Sequence, residues 1–277
     1  MDFDFTENQG VLRKSARQFL TGKCPTSLVR SVEESGAGYG VELWGKMAEL
    51  GWPSLAVPEE FGGGGGTFLD VCILVEEMGR ALAPVPFIPV VLSQYAIMEA
   101  GSAEQRKKLL PDLASGKLKM TLGLYESSFS FDPAAIETEA SRKGDQYILK
   151  GEKHLVPFGL VADAYLIAAR TGKDAKSGMS LFLVDRSARG LTASAARVIG
   201  GEELARVSLD GVSVGEDRVL GRAGEGQRLL KSLIQRGAAL KCAEMIGGAQ
   251  WVLDKTVEYA KERVQFNQPI GSFQAIQ

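Results

Sequence analysis

Only one histidine, His154, occurs in the 277 residues, so a two-histidine zinc site such as H-E-x-x-H has no material. No C-x-x-C pair exists. The G-x-x-x-x-G-K-[ST] phosphate loop, the G-x-G-x-x-G dinucleotide turn and the G-x-S-x-G nucleophile elbow are missing as well. No metal site is expected. Basic and acidic residues number 32 and 34, so there is no basic surplus to displace counterions from nucleic acid. No apolar run reaches the ~18 residues that a membrane span requires. The acidic start, Met1-Asp2-Phe3-Asp4-Phe5, lacks the positive region of a secretion signal. Cys24, Cys72 and Cys242 are odd in number and far apart, which suits reduced, buried thiols rather than disulfides. The reading is a cytoplasmic protein.

What is present divides into three segments of an α+β multidomain chain. Residues 1–120 read as an N-terminal helical domain. Leu12, Ala16, Phe19 and Leu20 recur at helical spacing, as do Leu43, Met47 and Leu50, and Val71, Leu74, Val75 and Met78. Ser102 predicts a helix start with Gln105 as its capping-box partner. Residues 121–225 read as a small β-barrel or sandwich. Its strands hold Tyr147-Ile148-Leu149, Tyr165-Leu166-Ile167, Leu181 to Val184 and Val207-Ser208-Leu209, with turns at Lys143-Gly144-Asp145 and Asp210-Gly211. Residues 226–277 begin a C-terminal helical bundle, with an apolar stripe from Leu229 to Ala260.

Two local features carry their own expectations. The glycines from Gly62 to Gly66 predict a floppy loop rather than a phosphate cradle, because no basic residue or helix start follows them. Ser272 predicts the N-cap of a new helix holding Phe273 and Ile276. One turn of helix does not sustain itself, so the bundle is expected to be incomplete here, or to be completed by other chains.

Several stretches carry a resemblance. Glu42-Leu43-Trp44 through Glu49-Leu50-Gly51-Trp52 is followed by Ala56-Val57-Pro58-Glu59-Glu60-Phe61-Gly62-Gly63 and then Glu76-Glu77-Met78-Gly79-Arg80. Lys143 to Lys153 forms a hairpin pattern, and Ala162-Asp163-Ala164 and Phe182-Leu183-Val184-Asp185 come after it. The most specific stretch is Tyr259-Ala260-Lys261-Glu262-Arg263-Val264-Gln265-Phe266-Asn267-Gln268-Pro269-Ile270, with Phe273-Gln274 beyond it. In this order they resemble the acyl-CoA dehydrogenases over the whole chain. The resemblance implies helices, a β domain and helices again. It also implies FAD as cofactor and the oxidation of an acyl-CoA thioester to its 2,3-enoyl form. A carboxylate takes the α-proton while the β-hydride passes to the flavin, and the protein positions both partners.

Residue by residue, the resemblance places a flavin bed at Leu124, Tyr125, Leu155 and Pro157. Glu126 and Asp132 keep the family's acids. Tyr125 stands for a threonine and Phe131 for a serine, so two hydroxyls are lost. Leu155, Val156 and Pro157 stand for Trp-Ile-Thr, which removes a stacking ring and a hydroxyl, and proline removes a backbone donor. His154 beside them reads equally as a solvated turn residue. Arg263, Gln265 and Phe266 match the family's arm, which reaches the diphosphate and adenosine side of a neighbouring subunit's FAD. An arginine fork suits a diphosphate; a helix-end arginine with a core phenylalanine is the plainer alternative. Arg236 matches an arginine near the CoA path and reads equally as a surface residue, and Phe131 is the second candidate contact to substrate. One place for the family's base is Gln235, an amide that cannot accept a proton; the other lies in helices beyond these residues. No catalytic residue is identified.

Three functions compete on this basis. The chain is a working dehydrogenase whose glutamate lies elsewhere in a longer polypeptide, the structural subunit of a two-subunit dehydrogenase, or a flavin-free module that binds acyl-CoA or protein. The family resemblance implies an acyl-CoA substrate, a homo- or hetero-oligomer arranged as a dimer of dimers, and electron-transferring flavoprotein as the onward electron acceptor.

Overall fold

The computed structural model describes residues 4–130, 132–172, 178–196, 198–200 and 202–276. Six helices come first: α1 (Glu7–Lys23), α2 (Thr26–Ser35), α3 (Val41–Glu49), α4 (Phe68–Ala81), α5 (Phe87–Ala100) and α6 (Ala103–Ala114). Capping boxes start three of them, pairing Thr6 with Gln9, Thr67 with Asp70, and Ser102 with Gln105 as expected. Each box satisfies helix-end N–H groups that would otherwise lack acceptors. Ala16, Leu20, Leu43, Met47, Val71, Leu74, Val75 and Met78 are buried in one core. Leu50 follows the last turn of α3 and stays 54% exposed, outside the stripe it was assigned to.

The glycine run is packed, which corrects the expected floppy loop. The N–H groups of Gly63, Gly64, Gly65 and Gly66 donate to the carbonyls of Pro58, Ser54, Val57 and Leu55. A Cβ on Gly63 would lie 1.8 Å from the Val57 carbonyl oxygen. Glycine is required here because one backbone lies directly against another.

Eight strands follow: β1 (Met120–Gly123), β2 (Glu139–Lys143), β3 (Gln146–Pro157), β4 (Ala164–Arg170), β5 (Met179–Asp185), β6 (Leu191–Ala196), β7 (Leu204–Gly215) and β8 (Val219–Leu220). They form one sheet in the order β6-β7-β3-β2-β4-β5-β8, with β1 parallel to β4. The expected turn at Asp210-Gly211 is instead a bulge inside β7. Gly211, at φ +70°, is the extra residue between the pairs Lys150–Asp210 and Leu149–Val212. In β4, Ala164, Leu166 and Ala168 enter the helical core. Tyr165, Ile167 and Ala169 enter a second core with Leu149, Val207 and Val212.

The long helix α7 (Gln227–Glu262) has 36 residues, a length of about 54 Å. It meets α4 backbone to backbone. A Cβ on Gly79 would lie 2.0 Å from the Glu244 carbonyl oxygen, and one on Gly247 would lie 1.8 Å from that of Glu76. On the other faces of α7, Met245, Ile246, Val252, Leu253, Val257 and Tyr259 are exposed, outside the apolar stripe expected there, and so is Cys242, against the expectation of three buried thiols. A two-residue hairpin of β9 (Val264–Gln265) and β10 (Gln268–Pro269) ends the helix. The helix expected at Ser272 is not formed. Its hydroxyl donates back to the Pro269 carbonyl at 2.6 Å in a short 3-10 turn, Ile270–Ser272. No helix is long and apolar enough to cross a membrane, and no metal-binding cluster occurs among the described residues.

Candidate functional site

The two lips expected to form the flavin bed are brought together. Leu124 and Tyr125 follow β1; Leu155 and Pro157 lie at the end of β3. The His154 N–H donates to the Tyr125 carbonyl at 2.9 Å, and the Thr121 hydroxyl donates to the Pro157 carbonyl at 2.6 Å. Between Lys153 and Val156 the β3–β7 register slips, and Leu155 there adopts φ +49°. Phe129 and Phe158 also have positive φ, at 49° and 52°. Such strain in bulky residues is costly and concentrates where a surface is shaped for use.

Beneath the lips lies a feature the sequence reading missed. The Lys153 side chain is fully buried, and its ammonium donates to the Glu126 carboxylate at 2.6 Å. That carboxylate also accepts from the Thr138 hydroxyl and from the N–H groups of Glu137 and Thr138. One ion pair therefore ties the segment after β1, the entry to β2 and the middle of β3. Burial lowers the Lys153 pKa to about 8, opposed by the Glu126 charge. Desolvation raises the Glu126 pKa, but the Lys153 charge and the hydrogen bonds outweigh it and hold the carboxylate below its ordinary range. The signal was present in the sequence as Glu126 and as a lysine in the hairpin pattern. Only the fold shows that they meet.

Beside the first lip lies a small cleft. Leu124, Tyr125, Ser130, Asp132 and Ile136 face Leu230 and Ile234 of α7 across a cleft of about 10 Å³. That is room for about one water, whereas ligand pockets run to ~300 Å³ and more. Toward a flavin, Leu155 and Pro157 offer neither a stacking ring nor a hydroxyl, and Pro157 lacks a backbone donor. His154 is half-buried, with the exposed Phe129 ring edge-on at 5.9 Å. Phe131 lies outside the described residues.

Arg236 is not in this cleft. On a helix it points roughly 160° away from Ile234, and its guanidinium lies 4.9 Å from the Tyr95 ring centre while donating to Glu99 at 2.9 Å and to the Ser232 hydroxyl. Gln235 is exposed.

The arm stands apart from the lips. Arg263, Gln265 and Phe266 are all exposed, Phe266 at 87%. Phe266 and Asn267 take φ +49° and +64°, the pattern of a tight hairpin turn normally given to Asn-Gly. Among the described residues, only Phe273 offers Phe266 a ring contact, edge-on at 6.2 Å. From Ile234 at the cleft to Arg263 is roughly 29 residues of helix, about 43 Å.

Comparison with known proteins covers nearly the whole chain. Residues 6–117, 121–212 and 224–277 match the family models of the acyl-CoA dehydrogenase N-terminal, middle and C-terminal domains. A probable acyl-CoA dehydrogenase, YngJ of Bacillus subtilis, is 32% identical over 100% of this chain and 74% of its own length. CarC of Acetobacterium woodii, a caffeyl-CoA reductase-Etf complex subunit, is 30% identical over 98% of this chain and 73% of its own. A variant of the Tcur3481-Tcur3483 steroid ACAD superposes with TM-score 0.87 at 34% identity, covering 98% of this chain and 71% of that one.

Proposed function

The chain belongs to the acyl-CoA dehydrogenase family, whose members are FAD-dependent oxidoreductases, and from that premise we propose that it is the bracing subunit of a two-subunit enzyme. The assembly desaturates an acyl-CoA thioester between its α and β carbons. FAD held by the other subunit would supply the hydride-accepting chemistry when bound, and a base outside these residues would take the α-proton.

The observation that carries this reading is the distance along α7. An exposed Arg263–Phe266 arm lies about 43 Å of helix beyond Ile234, which supports its serving a nucleotide held by another subunit. Arg263 is the residue that would hold the diphosphate, through charge-assisted hydrogen bonds from its fork. Phe266 supplies an apolar face beside it. The stacking ring and hydroxyl lost at Leu155 and Pro157, and the donor missing at Pro157, support a chain that does not hold flavin on its own lips. A pairing of unlike chains fits the paired name of the steroid ACAD neighbour. Onward transfer to an electron-transferring flavoprotein fits the Etf complex to which CarC belongs.

The test is co-expression with a family member that keeps an intact bed and glutamate. The expected result is a mixed oligomer with one FAD per pair of chains, while this chain purified alone is colourless. A bright yellow protein with one FAD per chain in isolation refutes the bracing role.

A further inference from the structure

A second cavity shares no lining residue with the cleft. It has a volume of about 310 Å³ and lies between α1, α2, the end of α4 and α7. A dry cavity of ~150 Å³ accommodates benzene, so this one has room for about ten non-hydrogen atoms. Leu20, Val29, Leu82 and Trp251 give it apolar walls. The charged groups lining it are Arg17, Arg80 and Glu77, an excess of one positive charge.

The Glu77 carboxylate is already committed. It accepts two hydrogen bonds from Arg17, at 2.9 and 2.7 Å, and one from Arg13 at 3.3 Å. Arg80 is half committed. Its Nη2 pairs with Asp254 at 2.7 Å, and its Nη1 is buried without an acceptor among the described residues. A buried donor left unpaired is costly, more so on a charged group.

We propose that this cavity binds a small carboxylic acid with an apolar body of about ten non-hydrogen atoms. The carboxylate accepts from Arg80, and the body lies against Leu20, Val29, Leu82 and Trp251. This site is independent of the bracing role and stands whether or not the chain holds flavin.

Octanoate is the probe, with octanamide as an uncharged analogue of equal size. Calorimetric titration of the full 277-residue chain is expected to give a Kd on the order of 0.1–1 mM for octanoate. Trp251 reports the same event by fluorescence, because it is 41% exposed while Trp44 and Trp52 are buried. Octanamide and Arg80→Gln should each weaken binding at least tenfold. Val29→Phe, which fills the cavity and leaves Arg80 in place, should abolish it with the circular dichroism spectrum unchanged. Octanamide binding as well as octanoate, Val29→Phe retaining binding, or no detectable octanoate binding would each overturn the assignment, even if Arg80→Gln fails to fold.

Discussion

The two ends of α7 differ in what they do with apolar side chains. Near its start Leu230 and Ile234 are turned into a cleft with room for about one water. At its end Phe266 is held in a left-handed conformation with 87% of its surface in solvent. The first arrangement gains by burial within its own chain. The second bears two costs, strain and exposure, and recovers neither within its own chain. Unrecovered cost at a defined geometry marks a surface formed for something else to complete it.

The largest expected effect falls on the closed end. Lys153→Met leaves the Glu126 carboxylate buried without its cation. Breaking a buried pair in this way costs about 3–5 kcal/mol, read from the urea midpoint. If stability stays within 1 kcal/mol, the ion pair is not what holds the lips together. Next comes the open end. In the mixed assembly, Arg263→Ala should weaken flavin retention tenfold or more, the loss of one charge-assisted contact at about 1.5–3 kcal/mol, while the melting temperature of the isolated chain does not change. Equal flavin content in mutant and parent would remove the contrast between the two ends.

A smaller effect distinguishes the ends by pH. Glu126 has a folded pKa below its ordinary value of 4.5. Its contribution is therefore complete above that value and is lost as pH falls through the folded pKa. Acid titration of stability should show a loss at low pH that is absent from Lys153→Met; parallel curves would contradict the pairing. The smallest effect has opposite signs in two measurements. Phe266→Asn suits the positive φ and should stabilise the chain by a few tenths of a kcal/mol. The same change should weaken the partner's flavin. A single sign in both would mean that Phe266 is merely structural.

Much of the fold was legible in the sequence because local chemistry agrees with it. Ser102 with Gln105 is a start signal that spans two intervening residues and nothing distant. The strands around Tyr165 and Leu181 declared themselves by apolar runs, as buried strands do. The errors arose where distant backbone decides. The glycine run looked mobile because its partners, Leu55 and Val57, are recruited by a fold-back that composition does not reveal. Asp210-Gly211 carries turn chemistry, yet pairing with β3 on both sides turns it into a bulge. At the site, the bed and arm positions are proposals of the family resemblance, and the fold adds only that Leu124 and Tyr125 lie beside the end of β3 while the arm is exposed. The Lys153–Glu126 tie was not, since 27 residues separate its members. Arg236 and the cleft belong to the same helix but to different faces, a distinction that depends on where α5 packs.

Strand β4 has a further consequence. Its side chains alternate between the core shared with the helices and the core inside the sheet, so neither core can melt while the other keeps its wall. Heating or denaturant should therefore give one sharp transition, seen alike by helix and strand signals. Cutting the chain ahead of β1 should yield two insoluble halves rather than two folded pieces.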